Sequence, residues 1–389
     1  MLKQPQVQAV YRSFSRPLFV LGIMSGTSIG SVDYALCSIG EKGVVLKSHW
    51  QSKFPRLLQD RLQHAAQGMT SSHQLAQLHH DLGRFYARQA ASGMGEAKLD
   101  LVGLHGQTVF HNPAQGRPAT FQLGEPAYLV EKLRVPVVSN FRAADMAAGG
   151  QGAPLATLFH KLAFADRSRH VCVNNLGGIS NVTSIDWRDG REPRINAFDT
   201  GPANMLIDLA MRRLTGGRKQ FDENGAWARR GVVSEGLVGR WLQDPYFAKT
   251  PPKSTGRELF GESFLEPAFI EMNALGLSKF DMLATLTEFT ASSLALSYRL
   301  HLKAMPHRVI LAGGGAANSH LVASIHKQLL RWNSNVQLQT SEQLGWPIQS
   351  IEPAAFALLA YYRLRRMAGN IPSTTGAKRS ALLGQITEP

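Results

Sequence analysis

Three glycine-containing turns, each at the end of a strand-like run, have residue types that can bind phosphate. The first lies in "LGIMSGTSIGSVDYAL", where Gly26, Thr27 and Ser28 combine an unhindered backbone with two hydroxyl groups. Backbone N–H groups and hydroxyls in such a turn can approach phosphate oxygens closely. An ordinary hairpin loop is the alternative for these residues alone, so the rest of the chain must decide.

Two further turns favour a polyphosphate ligand. In "HVCVNNLGGISNVTSIDW", Gly177 and Gly178 form a small turn between two strand-like runs, flanked by Asn175 and Asn181. Two such hairpins facing each other across a cleft would offer two sets of backbone N–H groups to one polyphosphate. "RVILAGGGAANSHLVASI" adds Gly313–Gly315 before a helix whose N-terminus favours negative charge.

Two common nucleotide motifs do not fit the glycine-rich stretches. "GGGAAN" is similar to a dinucleotide fingerprint, but Asn318 stands at its third glycine position and "RWNSNVQLQT", about twenty residues on, contains no acid. "PKSTGRE" places Lys253 before Ser254 without the leading glycine of a Walker loop. The phosphate-binding turns therefore belong to another kind of fold.

The residues between the turns predict alternating strands and helices. Leu18–Met24, Val32–Ser38 and Val44–Trp50 predict a β-meander at the start of the fold. Apolar residues at helical spacing predict helix within Pro55–Met94, and another helix is expected around Thr157–Phe164. Further strands are expected where apolar runs enter glycine-bearing turns, within 99–113, 170–187 and 308–325. The alternation predicts an α/β protein.

Composition limits the class of protein. A chain of 389 residues is longer than one ordinary core supports, which favours two domains with a cleft between them. The 44% apolar and 18% charged residues are typical of a soluble globular protein, and no run of about 20 apolar residues could span a membrane. Residues 1–17 are interpreted as an N-terminal extension. Cys37 and Cys172 lie in apolar runs, which favours a reducing cytoplasm.

The formal net charge of +14 raises the question of a nucleic-acid partner. The basic residues are dispersed, as in "RSFSR" and "YYRLRR", with no run of five or more and no recognisable nucleic-acid module. A positive field would equally attract an anionic nucleotide or an acidic sugar. We therefore expect small anionic ligands and no nucleic acid.

Ten stretches, taken in order, give the chain its resemblance to a known family. They are "MSGTS", "HGQT", "FQLGEPAYL", "AAGGQGAPL", "NLGGISNV", "FDTGPANMLID", "FDENGAWA", "KSTGRE", "LAGGGAAN" and "EPAAFALLA". From about Leu18 to the C-terminus the chain resembles the bacterial anhydro-N-acetylmuramic acid kinases, within the sugar kinase, actin and heat-shock ATPase superfamily. The resemblance implies a two-domain, actin-like ATPase (ribonuclease H-like) α/β fold with an interdomain cleft. The expected limits are 18–140 for the first domain, with tail 370–389 packing back on it, and 141–369 for the second.

The resemblance also implies an activity. It is the ATP-dependent conversion of 1,6-anhydro-N-acetylmuramic acid to N-acetylmuramic acid 6-phosphate in peptidoglycan recycling, with Mg²⁺ as cofactor, in the cytoplasm and, by analogy alone, as a homodimer. Asp199, in "INAFDTGPAN", matches the family's catalytic aspartate and would take the proton of the water that opens the anhydro bridge. A strand before it and a Gly-Pro turn after it would hold it rigidly. The alternative is an N-cap for the helix of "ANMLIDLAMRRL".

The remaining site residues are also implied by the resemblance. Those expected near the nucleotide are Gly26, Thr27, Ser28, Ile29, Gly30, Ser31, Val32, Asp33, Asn175, Gly177, Gly178, Asn181, Gly313, Gly314 and Gly315. Those expected near the sugar are His105, Gln107, Arg142, Asp145 and Glu352. Arg142 could pair with the lactyl carboxylate of the sugar or form a structural ion pair. Glu352 could instead serve the dipole of its helix, and His105 could be satisfied locally.

The chain departs from the family's pattern at two acidic positions. Gly30 and Ser31 stand where Asp and Gly are usual, and Asn140 stands where Asp commonly precedes Phe-Arg. An aspartate in the first phosphate turn often helps to hold Mg²⁺ through water, so the metal ligands are left open. A second hypothesis is a non-catalytic nucleotide- and sugar-binding protein of the same fold. Asp199, both other glycine turns and the sugar-side motifs favour the enzyme.

Overall fold

The computed structural model describes residues 16–26, 29–113, 116–188 and 192–389. These residues form two compact units, one running up to Ala163 together with Gln349–Pro389 and the other comprising Phe164–Ile348. The strands are β1 (Leu18–Ser25), β2 (Ser31–Gly40), β3 (Gly43–Lys53), β4 (Leu101–Asn112), β5 (Ala119–Leu123), β6 (Val137–Ser139), β7 (His170–Leu176), β8 (Ile179–Asp186), β9 (Arg194–Pro202), β10 (Arg308–Ala312), β11 (Gln337–Thr340) and β12 (Gln385–Thr387).

The α-helices fill the intervals between these strands. They are α1 (Arg56–Ala66), α2 (Ser72–Met94), α3 (Ala127–Leu133), α4 (Phe141–Ala147), α5 (Thr157–Phe164), α6 (Asn204–Leu214), α7 (Glu235–Trp241), α8 (Pro245–Ala248), α9 (Glu262–Ala274), α10 (Lys279–His301), α11 (Ser319–Leu330), α12 (Ile351–Leu364) and α13 (Pro372–Thr375). Within the ranges described above, no helix combines the length and apolar character that crossing a bilayer requires.

The sheets of the two units have the same order of strand directions. In the described part of the first unit, β3, β2 and β1 form an antiparallel meander, and β4 and β6 continue the sheet in parallel. In the second unit, β9, β8 and β7 form the meander, and β10 and β11 continue it in parallel. The repeated strand–turn–strand pattern in the sequence thus corresponds to a repeated sheet topology.

The helical stretch and the loop around 140 contain more structure than the sequence pattern predicts. The predicted helical region Pro55–Met94 is two helices, because Ser71 caps the second with a capping box. A helix, α4, also begins immediately after Asn140, which adopts a left-handed conformation (φ 55°). The short sequence "FRAADMA" has too few turns to show a clear apolar period, so the sequence pattern does not predict this helix.

A pair of glycines lets α12 lie directly on the first sheet. Gly22 on β1 and Gly103 on β4 are partners in the parallel ladder, and a Cβ at either would collide with a carbonyl oxygen of α12. Because glycine has no Cβ, the helix backbone can approach the strands closely at this point. This contact brings the start of α12, which carries Glu352, against β1.

The close packing of α12 explains how the compact units differ from the expected domain limits. We expected 141–369 to form the second domain, whereas 141–163 and 349–369 belong to the first unit. The C-terminal segment adds β12 to the first sheet, antiparallel to β6. Helix α12 is remote in sequence from the strands β1, β2 and β4 that it contacts, which is why local patterns did not place residues 349–369 in the first unit.

Candidate active site

The first phosphate turn connects β1 to β2 as a hairpin. The Ile29 amide donates to the Gly26 carbonyl oxygen at 3.1 Å, and Ile29 adopts a left-handed conformation (φ 55°). Gly30 is exposed, while Thr27 and Ser28 lie outside the described residues. The strand that follows begins with three more of the predicted residues, Ser31, Val32 and Asp33.

Gln107 joins this turn to the neighbouring strand β4. Its Nε2 donates to the Gly26 carbonyl oxygen at 3.1 Å, and its side chain is fully buried. Its Oε1 atom has no hydrogen-bond partner among the described residues. A buried acceptor left unpaired costs free energy, so a ligand hydroxyl or N–H that donated to it would be favoured.

His105 and Arg142 form a hydrogen-bonded pair in the first unit. The His105 Nδ1 atom lies 2.7 Å from the Gly106 carbonyl oxygen, so it carries the ring proton and Nε2 is free to accept. Arg142 donates to that Nε2 from Nε at 3.1 Å and from NH2 at 2.9 Å, and donates from NH1 to the Gly152 carbonyl oxygen at 2.6 Å. Burial and the Arg142 charge hold the pKa of His105 well below its usual value.

Arg142 is therefore held by neutral partners. Burial lowers its pKa to about 10, and Glu352 and Asp145 oppose that effect. The guanidinium stays charged at neutral pH, and its hydrogen bonds within the described residues go to an imidazole and a carbonyl group. A cation held in this way retains attraction for an anionic ligand. Among the described residues, no carboxylate oxygen lies within 4 Å of the Arg142 guanidinium, so these residues do not support the alternative of a structural ion pair.

Asp145 has the contacts of a structural carboxylate. It is fully buried, and its Oδ2 accepts from the Gly152 amide at 2.8 Å. Its Oδ1 accepts from Asn370 Nδ2 and from Thr375 Oγ1, both at 2.7 Å. The carboxylate thus ties the loop that holds Arg142 to the C-terminal segment.

Asp33 and Glu352 bring two carboxylates into the same part of the first unit. Desolvation raises the pKa of Glu352 although its side chain still reaches solvent, the Asp33 charge raises it further, and Arg142 lowers it. Burial also raises the pKa of Asp33, whose Oδ1 accepts from Gln51 Nε2 at 2.8 Å. Glu352 lies in the first turn of α12, so the helix-dipole role is also satisfied.

In the second unit, two of the predicted glycine turns lie against each other. β10 pairs in parallel with β7, so the turns at their carboxyl ends are neighbours. A Cβ on Gly313 would collide with the Asn175 side-chain oxygen and the Leu176 carbonyl, and Gly313 has a φ of 77°. Contact and conformation both require glycine there. The 177–178 turn and the 313–315 turn thus form one surface.

The start of α6 anchors the 177–178 turn. Backbone amides at the start of this helix donate to the carbonyl oxygens of Gly177 and Gly178 at 2.9–3.1 Å. Asn204 Nδ2 adds bonds to the carbonyl oxygens of Leu176 and Gly177. Asn181 faces Asn175 across the β7–β8 ladder, which completes the predicted set around this turn.

The sequence "FDENGAWA" supports the same surface, although we gave it no role from the sequence. Asn224 Oδ1 accepts from the Ser319 amide at 3.0 Å, and a Cβ on Gly225 would crowd His320 and Asn318. Buried Asp222 accepts from the amides that follow it, which fixes the loop. The sequence signal for this contact is Gly225 itself, because its φ of 66° is a backbone conformation that favours glycine.

Asp199 lies in β9, opposite Asn181 of β8. Its Oδ2 accepts from the Thr255 amide at 2.9 Å, while its own amide donates to the Lys253 carbonyl oxygen at 3.1 Å. Burial raises the pKa of Asp199 to about 6; Glu258 raises it and Lys253 lowers it. The helix α6 begins after Ala203, so the N-cap alternative is wrong. The carboxylate is partly exposed and suited to exchange protons near neutral pH.

Comparison with known proteins identifies the family. The model of the family described as anhydro-N-acetylmuramic acid kinase matches residues 18–389. This chain belongs to the anhydro-N-acetylmuramic acid kinase family. A relative of that name from Microcystis aeruginosa is 41% identical over 95% of this chain and 100% of its own length, and one from Crocosphaera subtropica is 40% identical over 96% and 99%.

Family membership gives the geometry its chemical context. The two repeated sheets with their surrounding helices confirm the predicted α/β fold with two units. A ROK family glucokinase from Streptomyces griseus, in complex with glucose and AMPPNP, aligns over 88% of this chain and 99% of its own at 15% identity and a TM-score of 0.38, a likeness too low to argue from. The chain is a kinase of the anhydro-N-acetylmuramic acid kinase family that uses ATP.

Proposed function

We propose that this chain converts 1,6-anhydro-N-acetylmuramic acid to N-acetylmuramic acid 6-phosphate, with Asp199 as the general base. The observation that carries the proposal is the Asp199 carboxylate, held by the Thr255 amide at 2.9 Å with its pKa raised by burial to about 6. A base of that pKa is deprotonated at neutral pH and still accepts a proton readily. The names of the relatives support the same substrate.

The reaction joins a hydrolysis to a phosphoryl transfer. Water attacks the anomeric carbon while Asp199 takes its proton, and the bond between that carbon and O6 of the anhydro bridge breaks. The released O6 attacks the γ-phosphorus of ATP, and the bond to ADP breaks. Atoms and charge balance as anhydro sugar, water and ATP giving sugar 6-phosphate, ADP and one proton, which Asp199 releases to solvent.

We assign sugar recognition to the first unit. Arg142 would bind the lactyl carboxylate, because its charge is held by the neutral His105 and by the Gly152 carbonyl. Gln107 Oε1 would accept from a sugar hydroxyl or from the acetamido N–H. Asp145 would act through the loop it fixes and not by contact with the sugar.

We assign nucleotide binding to the glycine turns. The joined 177–178 and 313–315 turns would contact the nucleotide through their backbones, and the turn of Gly26 and Gly30 would contact phosphate. Asn175 and Asn181 flank the second turn and can donate from their side-chain amides.

Mg²⁺ fits the acidic groups of the first unit. Mg²⁺ is commonly held by one or two carboxylates plus phosphates and water, and Asp33 and Glu352 influence each other's charge there. Their pKa values are raised by burial, which a bound cation would reverse. Asp33 would hold the ion, with Glu352 beside it. When bound, the ion would neutralise charge on the transferred phosphoryl group.

Two finer features are also proposed. The free and buried Cys37 and Cys172 are compatible with a reducing cytoplasm.

A homodimer is proposed by analogy with the family. Sedimentation equilibrium would test it, because a dimer has twice the mass of the chain and a monomer has the mass of one chain.

The test of the proposed function is product analysis. The purified chain is incubated with ATP, Mg²⁺ and the anhydro sugar, and in parallel with ring-opened N-acetylmuramic acid. We expect a sugar 6-phosphate carrying one added water from the anhydro sugar. Binding of both ligands without any product would favour the non-catalytic alternative.

A further inference from the structure

The segment from Tyr246 to Thr255 forms a closed hydrogen-bonded network around Asp199. Tyr246 OH donates to the Asp199 carbonyl oxygen at 2.7 Å, and the Thr255 amide donates to its carboxylate at 2.9 Å. The Lys253 carbonyl accepts from the Asp199 amide at 3.1 Å. Backbone and side chain of the proposed base are therefore both held by one segment.

Lys253 connects the parts of this network. Its side chain is 9% exposed, and Nζ lies 3.3 and 3.2 Å from the carbonyl oxygens of Tyr246 and Phe247 and 3.1 Å from His301 Nε2 on α10. The same Nζ lies 4.5 Å from the centre of the Tyr246 ring. The ammonium donates to the two carbonyl oxygens, whereas a neutral apolar side chain would leave them without this donor. His301 Nε2 itself donates to the Phe247 carbonyl oxygen at 2.8 Å and so does not accept from Nζ.

We propose that Lys253 is a positioning residue for Asp199. Its buried ammonium fixes the segment 246–255 that holds the Asp199 carboxylate, and its positive charge favours the ionised form of that carboxylate. The inference rests on the proposed function only in taking Asp199 as the base. Lys253 reaches Asp199 through its neighbours and does not touch substrate.

The charges around Asp199 oppose one another. Within the described second unit, the groups acting on it are Lys253, which lowers the pKa of Asp199, and Glu258, which raises it. Tyr246 stays protonated because burial raises its pKa. Burial lowers the pKa of Lys253 to about 8, and Lys249 lowers it further. At neutral pH the ammonium therefore persists and keeps Asp199 ionised.

The test compares Lys253→Met, Lys253→Arg and the control Lys327→Met, which removes an exposed charge elsewhere in the second unit. For Lys253→Met we expect kcat to fall about 10- to 100-fold, because small misplacements of catalytic groups have effects of that size. The acid limb of its pH–kcat profile should also move to higher pH. Lys253→Arg should keep the acid limb near the wild-type position, and Lys327→Met should change neither kcat nor the limb.

A substrate-free measurement separates this inference from the proposed function. The carboxyl carbon of Asp199 is titrated by ¹³C NMR, with Asp199→Asn to assign the signal. We expect a midpoint near pH 6 and a higher one in Lys253→Met. If the wild-type chain forms no product but Lys253→Met still raises the midpoint of Asp199, the inference is supported and the proposed function is overturned.

Two results would overturn the inference. One is a folded Lys253→Met variant with unchanged midpoint and kcat. If that variant does not fold, Tyr246→Phe decides, since it removes only the bond to the Asp199 carbonyl and should lower kcat with KM unchanged. An unaltered kcat in Tyr246→Phe would then count against the network.

Discussion

The proposed sugar-binding residues in the first unit and the proposed base in the second are held in opposite ways. In the first, charged side chains are held through side-chain hydrogen bonds to neutral groups, as Arg142 is held by His105. In the second, Asp199 is held mainly by backbone groups of strand β9 and of the Lys253–Thr255 segment. A ligand-binding group can share its donors with protein and ligand, whereas a base needs a fixed position and a free oxygen. Substitutions at the two kinds of site should therefore have different effects on turnover and on binding.

The largest effect is expected at Asp199. Asp199→Asn should lower turnover about a hundredfold or more, the usual scale for losing a general base, and leave binding of ATP and sugar within a few-fold. Steady-state kinetics and calorimetric binding would measure the two effects separately. Asp166→Asn, which changes a partly exposed aspartate of the same unit, is the control. Unchanged turnover in Asp199→Asn would remove this residue from the mechanism.

The pH dependence follows from the same carboxylate. Because burial raises the pKa of Asp199 to about 6, the base is lost as pH falls through that value. We expect kcat to fall below pH 6 and to change little between pH 7 and 8. A profile flat down to pH 4.5 would contradict an acidic base with this pKa.

Arg142 tests the first unit. Arg142→Ala should raise the KM for the sugar about tenfold or more while the KM for ATP changes little, since a hydrogen bond to a charged group is lost. Arg134→Ala, which removes an exposed arginine paired with Glu131, is the matched control. Equal effects of Arg142→Ala on both substrates would indicate a structural role.

How far the sequence predicts this site depends on the distance along the chain over which each feature is formed. The 177–178 turn was predictable, because it is formed by residues within one hairpin. Asp199 was expected after a strand and before a Gly-Pro turn, whereas β9 continues through it to Pro202, because its pairing with β8 extends that far. The proximity of Glu352 to Asp33 was not predictable, because it requires α12 to pack on Gly22 and Gly103, which lie far from this helix in the sequence. The Lys253 contact was missed for the same reason.

The glycine turns of the second unit allow a smaller, paired test. Gly313→Ala should raise the KM for ATP several-fold and lower thermal stability, because the left-handed conformation costs about 1–2 kcal/mol and the Cβ meets Asn175 and Leu176. Gly314→Ala has no atom within 4 Å of its Cβ and is the control. Equal behaviour of the two variants would show that contact between the turns is unimportant.

The smallest effect concerns the departure at the first turn. Gly30→Asp with Ser31→Gly should lower the Mg²⁺ concentration needed for half-maximal activity, because a carboxylate returned to the turn can orient the ion's water ligands. The KM for the sugar should barely move. If the Mg²⁺ dependence is unchanged, Asp33 already holds the metal unaided.

The most direct test of the central claim follows the oxygen of the attacking water. The wild-type chain is incubated with ATP, Mg²⁺ and the anhydro sugar in ¹⁸O-labelled water, quenched early and analysed by mass spectrometry. Hydrolytic opening coupled to phosphoryl transfer predicts one ¹⁸O at the anomeric carbon of the product and none in its phosphate. In Asp199→Asn, ring opening and phosphorylation should both be absent. Phosphorylated sugar that still contains its anhydro bridge, or label in the phosphate, would contradict the account.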